Sequence, residues 1–144
     1  MRGNGLRSET LQWLSLSQLQ SIEKLDLSAN RLSKLPYDSL RTAKALVSLR
    51  ANVNEKVFTA PPAPSGDAAA SDGDDAANLW PSLVYLDLSN SSIESLAPGS
   101  FAYLSSRLSR LSLANSGVGS VDAEAFISLN NLISVNNLTY SALF

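Results

Sequence analysis

The stretch from Ile22 to Leu40 reads Ile-Glu-Lys-Leu-Asp-Leu-Ser-Ala-Asn-Arg-Leu-Ser-Lys-Leu-Pro-Tyr-Asp-Ser-Leu. With Ile22 as position one, its residues follow the skeleton L-x-x-L-x-L-x-x-N-x-L, and Asn30 stands at position nine. Leu25 and Leu27, at positions four and six, are two residues apart, so on a strand both side chains point to the same side. The stretch therefore predicts a short strand with one buried face, followed by a turn.

The same skeleton recurs along the chain at a nearly constant spacing. Position four is taken in turn by Leu25, Leu49, Leu86, Leu111 and Val135. The first and the last of these steps are 24 residues long, and the step from Leu86 to Leu111 is 25. A recurring period is stronger evidence than any single motif. Because one unit cannot enclose its own leucines, we predict stacked units that close one continuous core.

The period divides the chain into six segments. We expect an N-terminal partial unit over 1–21 that acts as a cap, full units over 22–45, 46–82, 83–107 and 108–131, and a partial or degraded unit over 132–144. Residues 1–10 are polar and contain glycine, so we expect them to be frayed. Leu11 to Gln20 resembles the trailing half of a unit without its strand, which indicates either an improvised cap or a fragment of a longer protein.

Residues 59–77 interrupt the second unit with a run of Ala, Pro, Ser, Gly and Asp. From Leu49 to Leu86 is 37 residues, 13 more than one period, so the units on both sides stay in register. This composition buries too little apolar surface to offset the entropy of ordering. We predict a disordered acidic loop on the convex side, which is either an insertion without function or an acidic tether or protease-sensitive site.

Position nine carries Asn30 and Asn54 in the first two full units and Ser91 and Ser116 in the next two. We expect this side chain to turn inward and to hydrogen-bond the backbone of its own unit and of the next unit. An unpaired buried backbone group costs roughly 1–3 kcal/mol. A hydroxyl supplies one donor where an amide supplies two, so the turns at the serines are expected to be looser.

The outward positions of the strands are expected to form a concave face. Position five gives Asp26, Arg50, Asp87, Ser112 and Asn136, and position three gives Lys24, Ser48, Tyr85, Arg110 and Ser134. Adjacent strands lie about 4.8 Å apart, so the three charged residues at position five should form a ladder of alternating charge. Tyr85 is expected beside Arg110, within reach of a cation–π contact.

Two interpretations of this face remain open, namely charges that pair with one another in solvent, or a surface that binds a protein partner. Tyr and Arg are enriched among interface residues that carry binding energy. A binding surface would be centred on Tyr85, Arg110 and Arg50. Around them would lie Asp26, Asp87, Lys24 and Asn52.

Composition excludes several functional classes. The chain of 144 residues has no cysteine and no histidine, which excludes zinc and iron–sulfur sites, thiol nucleophiles and histidine-based triads. A net charge of −2 does not suggest binding to nucleic acid or to an anionic membrane. No apolar run approaches the roughly 20 residues of a membrane span. The N-terminus also lacks the apolar region of a signal peptide.

Catalysis is not expected either. Asp26 and Asp87 would lie about 9–10 Å apart on strands two steps from each other, a separation that suits some glycosidase acid pairs. Arg50 stands between them on an open surface, which favours a charge ladder over an acid and a base. We therefore predict no catalytic residues, no metal and no cofactor.

In these features the chain resembles the leucine-rich repeat family, specifically its typical 24-residue class. The marks are the Leu-x-x-Leu-x-Leu-Ser-x-Asn opening and the stretches Leu96–Phe101 and Val121–Phe126, and the resemblance covers about residues 11–140 apart from the insertion. It implies an α/β repeat solenoid, an arc with a short parallel β-sheet on the concave face and loops or short helical turns on the convex face. It also implies a protein partner on the concave face, in adhesion, signalling or immune recognition, within an extracellular or receptor-type protein.

Two N-glycosylation sequons, at Asn90-Ser91-Ser92 and Asn137-Leu138-Thr139, are weak signals of secretion. Asn90 stands on the expected turn, whereas Asn137 in a regular unit would point inward. An extracellular or cell-surface setting is thus expected. The alternatives are an intracellular, cytoplasmic scaffold or adaptor, and a truncated gene product without an independent function.

Overall fold

The computed structural model describes residues 2–13, 16–37, 40–54, 79–104 and 106–136, without the side chains of 12–18 and 136. The predicted insertion over 59–77 and the sequon at Asn137 lie outside the described residues.

Five short parallel strands form the main sheet. They are β1 (Lys24–Asp26), β2 (Ser48–Arg50), β3 (Tyr85–Asp87), β5 (Arg110–Ser112) and β7 (Ser134–Asn136), paired in that order. Each strand is therefore hydrogen-bonded to the strand of the next unit. The position-four residues form one row across the sheet, Leu25–Leu49–Leu86–Leu111–Val135. The predicted solenoid with a parallel sheet is confirmed.

The core fills the space behind this sheet with the recurring apolar positions. Position six contributes Leu27, Ala51, Leu88 and Leu113, all of them buried. On the far side, the Phe101 and Phe126 rings of successive units stack with their centroids 5.5 Å apart. Each large apolar side chain buried in this way stabilises the fold by roughly 1.5–3 kcal/mol relative to exposure.

The convex side carries a second, smaller sheet. Strands β4 (Ser95–Leu96) and β6 (Ser120–Val121) pair in parallel between the last two full units. In the part of the chain that the structure describes, helix is confined to the N-terminal segment, as α1 (Ser8–Trp13) and a 3-10 helix (Leu16–Ser21). The convex side of the described repeats thus consists of turns and these two strands.

The expectation of a frayed N-terminus was wrong for the residues that the structure describes. The Gly3 N–H donates to the Ser28 carbonyl at 3.0 Å, and the Arg31 N–H donates to the Leu6 carbonyl at 2.8 Å. Arg7 also forms a parallel bridge with Arg31. The backbone of this segment thus satisfies polar groups of the first full unit.

Position eight adopts the same left-handed backbone in every described unit. The φ angles are 54° at Ala29, 55° at Val53, 53° at Asn90 and 54° at Asn115, and Gly5 of the N-terminal segment has φ 63°. Asparagine and glycine tolerate this region, whereas a β-branched residue such as Val53 is strained in it. The repeat therefore imposes a turn geometry that its sequence does not always suit.

An aromatic pair that the sequence did not predict packs where the second unit resumes after the insertion. Trp80 is fully buried, and its ring stacks on that of Tyr37 with centroids 5.7 Å apart. The Trp80 Nε1–H donates to the Leu40 carbonyl at 3.0 Å. Since Tyr37 and Leu40 belong to the first full unit, this contact joins that unit to the part of the second unit that follows the insertion.

Candidate binding surface on the concave face

The outward positions of the five strands form the concave face, and the sheet register places them in two rows. The position-three row is Lys24–Ser48–Tyr85–Arg110–Ser134. The position-five row is Asp26–Arg50–Asp87–Ser112–Asn136. Every residue named from the sequence for these rows thus stands next to the neighbours expected for it.

The cation–π contact of Tyr85 involves a different arginine from the one expected. The sequence indicated Arg110, which is the cross-strand neighbour of Tyr85. In the structure the guanidinium carbon of Arg50 lies 5.8 Å from the centroid of the Tyr85 ring. Diagonal neighbours on a sheet remain within reach of long side chains, which permits this contact. The exposed Arg50 and the half-buried Tyr85 therefore form one pair at the middle of the face.

Asp87 is the buried polar centre of the concave face. Its Oδ2 accepts a hydrogen bond from Asn52 Nδ2 at 2.8 Å. Its Oδ1 accepts one from the Ser89 N–H at 3.0 Å and one from the Ser89 hydroxyl at 2.6 Å. The Ser89 and Ser112 hydroxyl oxygens lie 2.6 Å apart. Only 7% of Asp87 is exposed, so this carboxylate serves to fix the neighbouring side chains.

Asp26 and Asp87 flank Arg50 in register, as in the expected ladder, but their hydrogen bonds go elsewhere. The Ser28 N–H donates to Asp26 Oδ1 at 2.9 Å. Burial raises the pKa of Asp26, yet hydrogen bonding to Ser28 and the charges of Arg2 and Arg50 lower it by more, so the net shift is downward. Asp26 is thus held in its ionised form at neutral pH.

The phenol of Tyr85 is held in its protonated form. Burial raises the pKa of Tyr85, the Asp87 carboxylate raises it further, and Arg50 opposes both effects. The net shift is upward, because burial disfavours the charged phenolate and an anion beside Asp87 would also be repelled. Tyr85 therefore presents a neutral ring and a hydroxyl group on the concave face.

The asparagines at position nine bind the backbone of two units. Asn54 Nδ2 donates to the Ala51 carbonyl at 2.9 Å and to the Leu27 carbonyl at 3.1 Å, while its Oδ1 accepts from the Leu32 N–H at 3.1 Å. Asn30 Oδ1 likewise accepts from backbone N–H groups of the N-terminal segment. These position-nine hydrogen bonds reach the preceding unit, and not the next unit as expected from the sequence. The reason is that the turn packs against the unit before it.

The serines at position nine make fewer of these contacts. Ser116 Oγ donates to the Leu88 carbonyl of the preceding unit at 3.0 Å, and the bond from Ser91 Oγ to the Ser89 carbonyl is 3.4 Å long. A hydroxyl has one donor, so it cannot reproduce the two donations of Asn54.

Asn90 stands on the left-handed turn and is exposed, as is Ser92, the third residue of its sequon. Asn115 Nδ2 donates to Asn90 Oδ1 at 3.4 Å, which is a weak contact. The amide nitrogen of Asn90 is therefore accessible for modification in the folded chain.

No group of three or more Asp and Glu side chains in the described part of the chain could hold a metal ion. No helix within the described ranges is long and apolar enough to cross a bilayer.

Comparison with known proteins agrees with the geometry. The family model described as Leucine Rich Repeat matches residues 21–42 and 82–104, the first and third of the full units. No curated protein matches the chain. The matched segments contain β1 and β3, the strands that carry Asp26, Tyr85 and Asp87. The two matched repeats and the parallel solenoid built on the same period support a leucine-rich repeat protein.

Proposed function

We propose that this protein-interaction module binds its partner on the concave face, with Arg50, Tyr85 and Arg110 as the centre of the contact. The observation that carries the proposal is the register of β2, β3 and β5, which sets these three side chains on adjacent strands. Lys24 and Asp26 on one side, and Asn52 and Asp87 behind them, complete the surface.

The chemistry of these residues supports a binding role. Tyr85 is half-buried, and the Arg50 guanidinium lies over its ring, so little side-chain entropy is lost when a partner covers it. Tyrosine and arginine are also the residues that most often carry interface energy. A pre-ordered aromatic ring flanked by two arginines is the expected arrangement of such a centre.

We also propose that the chain carries no catalytic site of its own. Both oxygens of Asp87 are occupied by hydrogen bonds from Asn52 and Ser89. A general acid or base needs an oxygen within reach of the substrate proton, and a carboxylate held in this way is better suited to positioning its neighbours.

For the setting, we propose that the chain belongs to an extracellular or cell-surface leucine-rich repeat protein in adhesion, signalling or immune recognition. The exposed Asn90 sequon supports this setting. If Asn90 carries a glycan in the protein from its natural source, a glycosidase removes that glycan and changes the electrophoretic mobility of the protein. An unmodified Asn90 in the mature protein would instead favour the intracellular scaffold.

The binding proposal is tested by recovering partners from an extract on the immobilised chain. Tyr85→Ala is compared with Tyr103→Ala, a matched tyrosine that packs against the core away from the concave face. We expect Tyr85→Ala to lower the affinity for a recovered partner about tenfold or more. Tyr103→Ala should leave this affinity unchanged. Equal recovery by wild type and Tyr85→Ala would overturn the proposal.

A further inference from the structure

The two carboxylates of the concave face use their hydrogen-bonding capacity within the chain. Asp87 accepts from Asn52 and twice from Ser89, and is buried. Asp26 is half-buried and accepts from the Ser28 N–H. The Asp87 carboxylate at the centre of the face is therefore directed inward, toward the turn that follows β3, whereas Asp26 on β1 stays partly exposed.

The positive groups of the same face point outward. Lys24, Arg50 and Arg110 are all exposed, and Arg50 rests on the Tyr85 ring. A guanidinium has five N–H donors and no acceptor, and its planar fork matches a carboxylate with two parallel hydrogen bonds. The surface open to a partner thus offers many donors beside an aromatic ring.

The exposed carboxylates Glu94, Asp122 and Glu124 of the last two full units belong to the convex side, around β4 and β6. Four of the 13 acidic residues fall within 59–77, which leaves nine acidic against 11 basic residues in the rest of the chain. An anionic partner is therefore attracted to the three exposed cationic side chains of the concave face and repelled by the carboxylates around β4 and β6.

From this polarity we propose that the occupant of the concave face is an acidic segment of a partner protein, whose carboxylates pair with Arg50 and Arg110 across the Tyr85 ring. The inference rests on the proposed function, and it names the chemistry of the partner. The aromatic ring and the two guanidinium groups lie on three adjacent strands, about 10 Å from the first to the third, a span that an extended peptide covers with three residues.

The test measures binding of a fluorescent peptide of alternating Glu and Ser residues by anisotropy, with a matched Gln and Ser peptide as the control ligand. We expect the Glu peptide to bind, the Gln peptide not to bind, and added salt to weaken the complex. Arg50→Gln and Arg110→Gln should each weaken binding about fivefold. Arg41→Gln, an exposed arginine away from the concave face, should leave it unchanged.

Three results would overturn the inference. They are equal binding of both peptides, no effect of either concave arginine, and tighter binding of a polynucleotide than of the Glu peptide. A dimer of the chain that Arg110→Gln abolishes, in the absence of peptide binding, would assign the face to a second copy. If binding of a partner recovered from an extract depends on Tyr85 while the Glu peptide does not bind, the partner segment is not acidic. The proposed function then stands and this inference is wrong.

Discussion

The guanidinium carbon of Arg50 lies 5.8 Å from the centroid of the Tyr85 ring, although an insertion separates the two residues in the chain. The contact exists because Ser48 of β2 is in register with Tyr85 of β3, which places Arg50 one diagonal step away. The insertion thus leaves the concave face continuous. The turns, the contact between Trp80 and the first full unit, the charged face and the binding surface can each be tested.

Val53 is predicted to destabilise its turn. It is 52% exposed and has φ 55°, a backbone region that is unfavourable for a β-branched side chain. Val53→Asn should raise the free energy of unfolding by about 1 kcal/mol, because asparagine tolerates this conformation. The reverse change at the equivalent position, Asn115→Val, should lower it by a similar amount. Urea denaturation measures both, and equal signs for the two variants would contradict the prediction.

Trp80 is predicted to be the main joint between the first full unit and the part of the second unit that follows the insertion. Trp80→Ala should lower the free energy of unfolding by about 3–5 kcal/mol, because a fully buried indole and its stacking on Tyr37 are lost. Trp80→Phe keeps a stacked ring but loses the hydrogen bond to the Leu40 carbonyl. This variant should lower the free energy of unfolding by about 1–3 kcal/mol. A loss below about 1 kcal/mol for the alanine variant would show that the joint lies elsewhere.

Asn54 is predicted to matter more than its counterpart Ser116. Asn54→Ala leaves the Leu27 and Ala51 carbonyls and the Leu32 N–H without this partner, at a cost of about 3 kcal/mol or more. Ser116→Ala should cost about 1 kcal/mol. Asn131→Ala, which removes a single exposed bond to the Ser106 carbonyl, serves as the control. Equal losses in urea denaturation for all three variants would contradict a special role of position nine.

Asp26 is predicted to make stability depend on pH. Its folded-state pKa lies below the ordinary value of 3.8: burial raises it, while hydrogen bonding to Ser28 and the charges of Arg2 and Arg50 lower it by more. A depressed folded pKa contributes stability that is fully present above the unfolded pKa and is lost as the pH falls through the folded value. The stability difference between wild type and Asp26→Asn should therefore shrink between about pH 5 and pH 2. A difference that stays constant over this range would contradict the assignment.

Much of the fold could be predicted because one period determines it. The spacing of Leu25, Leu49, Leu86 and Leu111 fixed the strand register, and with it the neighbours of Tyr85 and Arg50 on the concave face. Position along the repeat is sufficient for such predictions, since every unit repeats the same backbone path.

What could not be predicted depends on side-chain conformation and on backbone pairing without an apolar pattern. Residues 3–7 pair with the first full unit through backbone groups, which the repeating apolar pattern does not reveal, although Gly5 stands one period before Ala29 and shares its left-handed turn. The choice of Arg50 over Arg110 at the Tyr85 ring is a rotamer choice between two long side chains, both within reach. The Tyr37–Trp80 stack spans the insertion and therefore falls outside the period.

The central claim is that the concave face is the binding surface, and site-specific photo-crosslinking tests it most directly. A photo-reactive p-benzoylphenylalanine would replace Ser48, the neighbour of Tyr85 on the concave face, and in a second variant Ser120 of β6 on the convex side. The account predicts that the protein partner is crosslinked from the Ser48 position and not from the Ser120 position. Crosslinks from the Ser120 position alone would contradict it and would place the partner on the convex side.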